Sequence, residues 1–164
     1  MEEHEEHLWQ VLQYLRENHL YVNVEKCEFF QTKIKYLGYV ISGDGIAVDP
    51  SKIQAILEWL APTNASKVRS FMGLAGYYWR FVQGFSRIAH PITSLQRKGK
   101  KFVWSEKCQE YFQVLKEKLA SVPILAVPNP SGDFMVCIDT CLEGLGAVLI
   151  QDGRVIAYES RKEP

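Results

Sequence analysis

N-A-S-K-V-R-S-F-M-G-L-A-G-Y-Y-W-R-F-V-Q-G-F-S-R-I-A-H-P, residues 64–91, is the stretch whose reading decides the fold. Asn64 or Ser66 can cap a helix start, and Gly84 with Pro91 can stop it. At about 100° per residue the segment separates into two unlike faces. Val68, Phe71, Met72, Ala75, Tyr78, Trp79 and Val82 gather on one side, wide enough to pack on a core. Arg69, Gly73, Gly76 and Arg80 gather on the other, with Tyr77 at the margin. Glycine in a helix costs about 1 kcal/mol against alanine, so two on one face need a cause. One cause is close approach of a polyanionic duplex to the helix backbone, with arginines above and below. The other is a helix–helix crossing that needs small residues. Composition alone leaves both open.

The chain has 164 residues, room for one large or two small domains. Its 47% hydrophobic content supports a real core, and no apolar run approaches the length of a bilayer span. Met1-Glu2-Glu3-His4 is no secretory signal, so the reading predicts an intracellular protein. Cys27, Cys108, Cys137 and Cys141 are spaced for neither a zinc knuckle nor a redox pair and are expected to be reduced, mostly buried thiols. The zero net charge hides an asymmetry: residues 64–118 hold eleven of the nineteen Lys and Arg but only three of the nineteen acidic residues. A basic middle between acidic ends points to nucleic acid, unless ion pairs between segments consume the charge.

Around this centre, residues 2–19 predict an amphipathic helix with Leu8, Val11, Leu12 and Leu15 on its apolar stripe. His4 and His7 lie one turn apart without a third ligand, so a solvated helix start is expected. Two short strands are predicted: one at 20–24 and, after Cys27-Glu28-Phe29-Phe30, an alternating one at 34–41 in which Gly38 marks a bulge or a close backbone contact. Asp49-Pro50 opens a helix to Leu60 with Ile53, Ile56 and Leu57 buried. Arg97-Lys98-Gly99-Lys100-Lys101 is a solvated turn or a phosphate contact, and Glu106 to Ala120 a further amphipathic helix. Three prolines between Pro123 and Pro130 predict an extended linker and a domain boundary. Strands at 134–139, 145–151 and 155–160 follow, with Asp152-Gly153 a hairpin turn between the last two. Asp139 ends the first of these strands, either as a turn carboxylate or as a cation ligand.

K-C-E-F-F, Y-L-G-Y-V-I-S-G-D-G-I-A-V-D-P-S-K, V-R-S-F-M-G-L-A-G-Y-Y-W-R-F-V, F-V-W-S-E-K-C-Q-E-Y-F-Q-V-L-K and C-I-D-T-C-L-E-G-L-G-A-V-L-I-Q together resemble one family. It is the reverse transcriptase–RNase H region of gypsy-type LTR retrotransposons and related retroviral polyproteins. The resemblance spans nearly the whole chain, in the family's order. It implies an α+β fold: a helical thumb-like bundle flanked by a small palm β-hairpin piece and a three-stranded antiparallel RNase H-like meander. Residues 1–48 would be the end of the palm, 49–122 the thumb, and 123–164 the opening strands of RNase H.

By the same resemblance, Tyr36, Leu37, Gly38 and Tyr39 match the primer grip, and Arg69, Gly73 and Tyr77 the groove-tracking positions of the thumb helix. Trp79 and Thr140-Cys141 depart from the family's usual residues. Duplex or RNA–DNA hybrid contacts are expected from Lys67, Arg69, Gly73, Gly76, Tyr77 and Arg80, and from Arg97, Lys98, Lys100 and Lys101. Asp139 matches the first metal-binding aspartate of RNase H. The family's polymerase turn and the remaining RNase H carboxylates find no match, so this chain is expected to handle template–primer without catalysis by itself and without a cofactor. Magnesium belongs to the complete enzyme. Partners expected are hybrid or duplex nucleic acid, the rest of the polyprotein or another copy of the chain, with pairing between its two end segments, and no membrane. The compartments implied are cytoplasm, virus-like particle or nucleus. A reading of another class is a transposon-derived protein-binding module that oligomerises through open strand edges.

Overall fold

The structure, a computed structural model, describes residues 2–99, 101–141 and 144–162. It divides into two compact units between Ile34 and Lys35. In the first, α1 (Glu2–Glu17) stops two residues early. His19 adopts a left-handed backbone (φ 55°), the Leu20 amide donates to Leu15 O at 2.9 Å and the His19 amide to Arg16 O at 3.2 Å. That closure satisfies the orphan carbonyls of the last turn. The apolar stripe is only partly covered: Leu8 and Leu15 are half-buried, whereas Val11 and Leu12 are exposed. The strand expected at 20–24 is not formed. A 3-10 turn, Val24–Lys26, stands there instead, because β propensity without a partner strand leaves the backbone unpaired. His4 and His7 are exposed, and His4 meets Phe30 edge-on with ring centroids 5.0 Å apart.

β1 (Lys33–Tyr36), β2 (Tyr39–Ser42) and β3 (Gly45–Val48) make an antiparallel sheet in chain order. The single strand expected at 34–41 is thus two strands. Gly38 marks a turn, not a bulge, with Leu37 and Gly38 both left-handed at φ 49° and 81°. Asp49 then caps α2 (Pro50–Leu57), accepting from the Ser51 amide at 3.0 Å and from Lys35 Nζ at 3.4 Å. Ile56 is fully buried, but Leu57, expected beside it, is exposed.

Asn64 Oδ1 accepts from the Lys67 amide at 2.9 Å and starts α3 (Ala65–Tyr77). The long helix expected to Pro91 breaks at Tyr78, which departs from helical ψ and leads into a 3-10 turn, Trp79–Phe81. Gly84, left-handed at φ 70°, begins α4 (Phe85–Thr93), and Pro91 lies inside that helix, not beyond its end. Ser105 caps α5 (Glu106–Ala120), the helix expected there. The core forms where α2 to α5 meet: Ile56, Val68, Phe71, Ala75, Ile92, Leu115 and Leu119 have no exposed surface. Phe71 and Phe112 lie 4.7 Å apart by ring centroid. Lys116 is buried among them because its Nζ donates to Trp59 O at 2.9 Å and sits over the Phe112 ring.

The proline-rich stretch is held, not free. Ile46 and Leu125 exchange both backbone hydrogen bonds, at 2.7 and 2.9 Å, and the Ala126 amide donates to Val155 O at 2.7 Å. The buried Gln151 side chain accepts from the Asn129 amide at 2.8 Å and donates to its carbonyl at 2.9 Å. β4 (Met135–Cys141), β5 (Gly144–Gln151) and β6 (Arg154–Lys162) form the meander, antiparallel throughout. Asp152 and Gly153, at φ 51° and 72°, make the predicted hairpin turn. β4 continues past Asp139, which therefore lies within the strand opposite Gly146. β4 is an outer strand with Val136 and Ile138 exposed, and the two sheets stay separate. Among the described residues the expected pairing of the end segments 1–48 and 123–164 is confined to the antiparallel bridge of Ile46 with Leu125. Cys108 is buried, Cys27 half-buried and Cys137 exposed, which corrects the expectation of mostly buried thiols. No described helix is long and apolar enough to cross a membrane.

Candidate nucleic-acid interface

α3 presents Ser66, Arg69, Ser70, Gly73 and Tyr77 to solvent along one stripe. Their spacing of three and four residues is the helical repeat itself, and Val68, Phe71 and Ala75 bury the opposite face. A Cβ placed on Gly73 or on the half-buried Gly76 would meet nothing within 4 Å. No helix of the described chain therefore crosses at these glycines, which removes the helix-crossing explanation within this molecule. Ser66 and Ser70 extend the stripe; from the sequence Ser66 was named only as a candidate cap and Ser70 not at all. Their signal was the same four-residue step that picked out Arg69 and Gly73. The Ser70 hydroxyl donates to the backbone carbonyl of Ser66 at 3.2 Å, so the Ser70 side chain lies against the helix backbone.

Arg80 does not continue the stripe, because α3 ends at Tyr77. It is exposed on the following 3-10 turn, its guanidinium 5.2 Å from the centroid of the Trp79 ring. Lys67 is exposed beside the stripe. Arg97, Lys98 and Lys101 are exposed in the loop after α4, and Lys100 lies outside the described residues. Among the described residues the one ion pair is Lys35 with Asp49. No described Lys or Arg of the middle segment pairs with an acidic side chain, so the exposed ones keep their charge among the described residues.

The turn between β1 and β2 meets the end of α3 through tyrosines. Tyr36 and Leu37 are exposed at the tip, while Gly38 and Tyr39 are half-buried. Tyr39 stacks on Tyr77 with centroids 5.3 Å apart and meets Tyr78 edge-on at 5.6 Å. Burial, and then the neighbouring Tyr77, push the Tyr39 phenol up to about 12 from its ordinary 10.0. Tyr78, also buried, is raised in the same direction. Between pH 10 and 12 the unfolded chain releases the Tyr39 proton while the folded protein keeps it. The contribution is therefore fully present below pH 10 and is lost as pH rises through 12. Urea midpoints measured across that window should fall more steeply for the native chain than for Tyr39→Phe. Equal slopes would contradict the assignment.

Asp139 is exposed and opens on a cleft of about 540 Å³ beneath α4 and α5, with Arg87, Lys118, Glu159 and Arg161 also lining it. None of these four was picked out from the sequence, because the fold alone gathers them from α4, α5 and β6. Among the described residues no three His, Cys, Asp or Glu side chains are grouped to hold a metal ion. Asp139 with these neighbours does not fit a magnesium pair, which needs several carboxylates.

Two family models match the chain: "Reverse transcriptase (RNA-dependent DNA polymerase)" over residues 1–41 and "RNase H-like domain found in reverse transcriptase" over residues 104–163. An uncharacterised mitochondrial protein of Arabidopsis thaliana is 40% identical over 125 residues, covering 75% of this chain and 78% of its own length. The retrovirus-related Pol polyprotein from transposon gypsy of Drosophila melanogaster is 38% identical over 176 residues, covering 99% of this chain. The chain spans 17% of that polyprotein. The solved structure of the foamy viral protease-reverse transcriptase in complex with RNA/DNA hybrid superimposes with a TM-score of 0.89 at 21% identity. It covers 100% of this chain, which spans 23% of it, and at that identity the likeness is one of fold.

Proposed function

The chain belongs to the reverse transcriptase–RNase H family of retrotransposon Pol polyproteins, and from that premise we propose that its residues hold and register a template–primer duplex. The observation that carries this reading is the α3 stripe: two glycines with open space above them, flanked by unneutralised Arg69 and Lys67. A helix whose backbone is bare along one face can lie closer to a sugar–phosphate surface than one carrying side chains there. The duplex class follows from shape. An RNA–DNA hybrid offers a wide, shallow minor groove that a smooth helix face can enter, and recognition there has little sequence preference. Tyr36 and Leu37, exposed at the β1–β2 tip, would meet the primer's 3′ end, while Arg97, Lys98 and Lys101 reach phosphates further along.

In this reading residues 1–48 are the end of a palm, 49–122 a thumb and 123–164 the opening strands of an RNase H fold. Magnesium serves the chemistry of the complete enzyme, and duplex handling is the role assigned to these residues. The foamy viral structure was solved with an RNA/DNA hybrid bound, which supports the same partner class here. The compartment proposed is intracellular, where such a duplex would be made.

A salt titration tests the proposal. Affinity for a hybrid of about two helical turns should fall with a log–log slope of roughly −3 to −5, as expected for a handful of phosphate contacts. Arg69→Glu with Arg80→Glu should weaken binding roughly tenfold at moderate salt and flatten the slope by about two. Salt-insensitive binding, or a double variant that binds like the native chain, would refute it.

A further inference from the structure

The turn at Leu37 and Gly38 is an unlikely one for its sequence. Leucine at φ 49° is in a region that side chains with a Cβ enter at a cost, so restraints outside the turn must hold it. Those restraints come from the end of α3. The Tyr77 hydroxyl donates to Leu37 O at 2.9 Å, and the next residue, Tyr78, donates to Gly38 O at 3.2 Å. The Asp49 amide donates to the same Gly38 carbonyl at 3.0 Å. In return the Tyr39 hydroxyl donates to Tyr77 O at 3.3 Å, a carbonyl at the helix end that has no intrahelical amide. Hydrogen bonds thus run in both directions between the turn and the helix, through three rings packed on one another. Gly38 is fitted to the arrangement, since a Cβ there would lie 2.7 Å from the Tyr78 hydroxyl.

We infer that Tyr77 is a positioning residue, whose hydroxyl locks the β1–β2 tip to α3 so that the two duplex-facing surfaces move as one body. The inference rests on the duplex reading above and deepens it. Arg69 and Gly73 would lie in the groove while Tyr36 and Leu37 lie at the primer's end, and the distance between these sites is then fixed by the tyrosine lock. A duplex whose 3′ end falls at the tip is favoured over one that offers only a groove. The Tyr77 ring is 47% exposed and can still border the groove, but its polar end is engaged by the turn. The upward shift of the Tyr39 phenol agrees with a packed, desolvated cluster in place of a loose surface contact.

Tyr77→Phe, which keeps the ring and removes the hydroxyl, tests this in the whole chain. Amide exchange at residues 36–39 of the free protein should accelerate about fivefold, the factor that one hydrogen bond is worth, while α5 amides stay unchanged. With nucleic acid, the probe is a pair of RNA–DNA hybrids of equal length, one with a recessed DNA 3′ end and one blunt. The native chain should prefer the recessed hybrid, and Tyr77→Phe should lose about fivefold of that preference, read as the ratio of the two affinities. Tyr39→Phe, which removes the return bond, should shift the same ratio. A variant that is merely less stable weakens both hybrids alike, so the ratio separates positioning from folding. Unchanged turn exchange in Tyr77→Phe, or equal loss on both hybrids, would overturn the lock. If the native chain bound neither hybrid, the duplex reading would fall and its positioning role with it, while exchange would still report whether the lock exists.

Discussion

Alanine at Gly45 is expected to destabilise the protein by about 3 kcal/mol or more, through strain and overpacking together. Gly45 opens β3 at φ 135°, a conformation that only glycine adopts without strain. A Cβ there would overlap the carbonyl oxygen of Leu125 and come within 3.0 Å of the Ile124 methyl group. That carbonyl cannot retreat cheaply, because it accepts the Ile46 amide at 2.7 Å in a bridge that is returned by the Leu125 amide. Leu125 itself is buried in the core, so pushing the strand outward would expose it. Urea unfolding should show the loss as a lowered midpoint with an unchanged slope. Gly43→Ala is the control. No atom lies within 4 Å of its added methyl, so its midpoint should stay near the native one. A native midpoint for Gly45→Ala would mean that the proline-rich stretch is not held against β3 as described.

Gly73 should show the opposite sign for stability and a large loss for binding. Its Cβ position is open and its backbone is helical, so Gly73→Ala should stabilise the free protein by about 0.5–1 kcal/mol. The same methyl group would stand between the helix and an approaching duplex, and Gly73→Leu should weaken hybrid binding roughly 100-fold through steric exclusion. Thermal midpoints and hybrid affinities of the two variants together decide the matter. A glycine kept for folding would lose stability on substitution. Gain of stability with loss of affinity marks a position whose emptiness serves a ligand. Stabilised variants that bind hybrid as well as the native chain would remove the groove from the proposal.

Much of the architecture was legible in the chain because it is local. Asn64, Asp49 and Ser105 carry side chains that satisfy helix-start amides, and each starts a helix where expected. Asp152-Gly153 has the residue types that a two-residue hairpin turn demands. The unlike faces of α3 were legible for the same reason, since a helix places every third or fourth residue together whatever surrounds it. The errors were of the other kind. Residues 20–24 have strand propensity but no partner, and Leu57 has the right spacing but no neighbour to cover it. Pro91 has the chemistry of a helix stop, yet it sits within α4.

Sequence by itself determined the family's motifs, the helix starts, the basic middle segment and the bare stripe of Arg69, Gly73 and Tyr77, because composition and helical periodicity need no third dimension. Tertiary structure alone decided that nothing in the described chain covers the glycines and that α3 ends at Tyr77. It also decided that the hydroxyls of Tyr77 and Tyr78 reach carbonyls 40 residues away. Those outcomes depend on which distant backbone comes to lie beside a side chain, and no local pattern encodes that meeting.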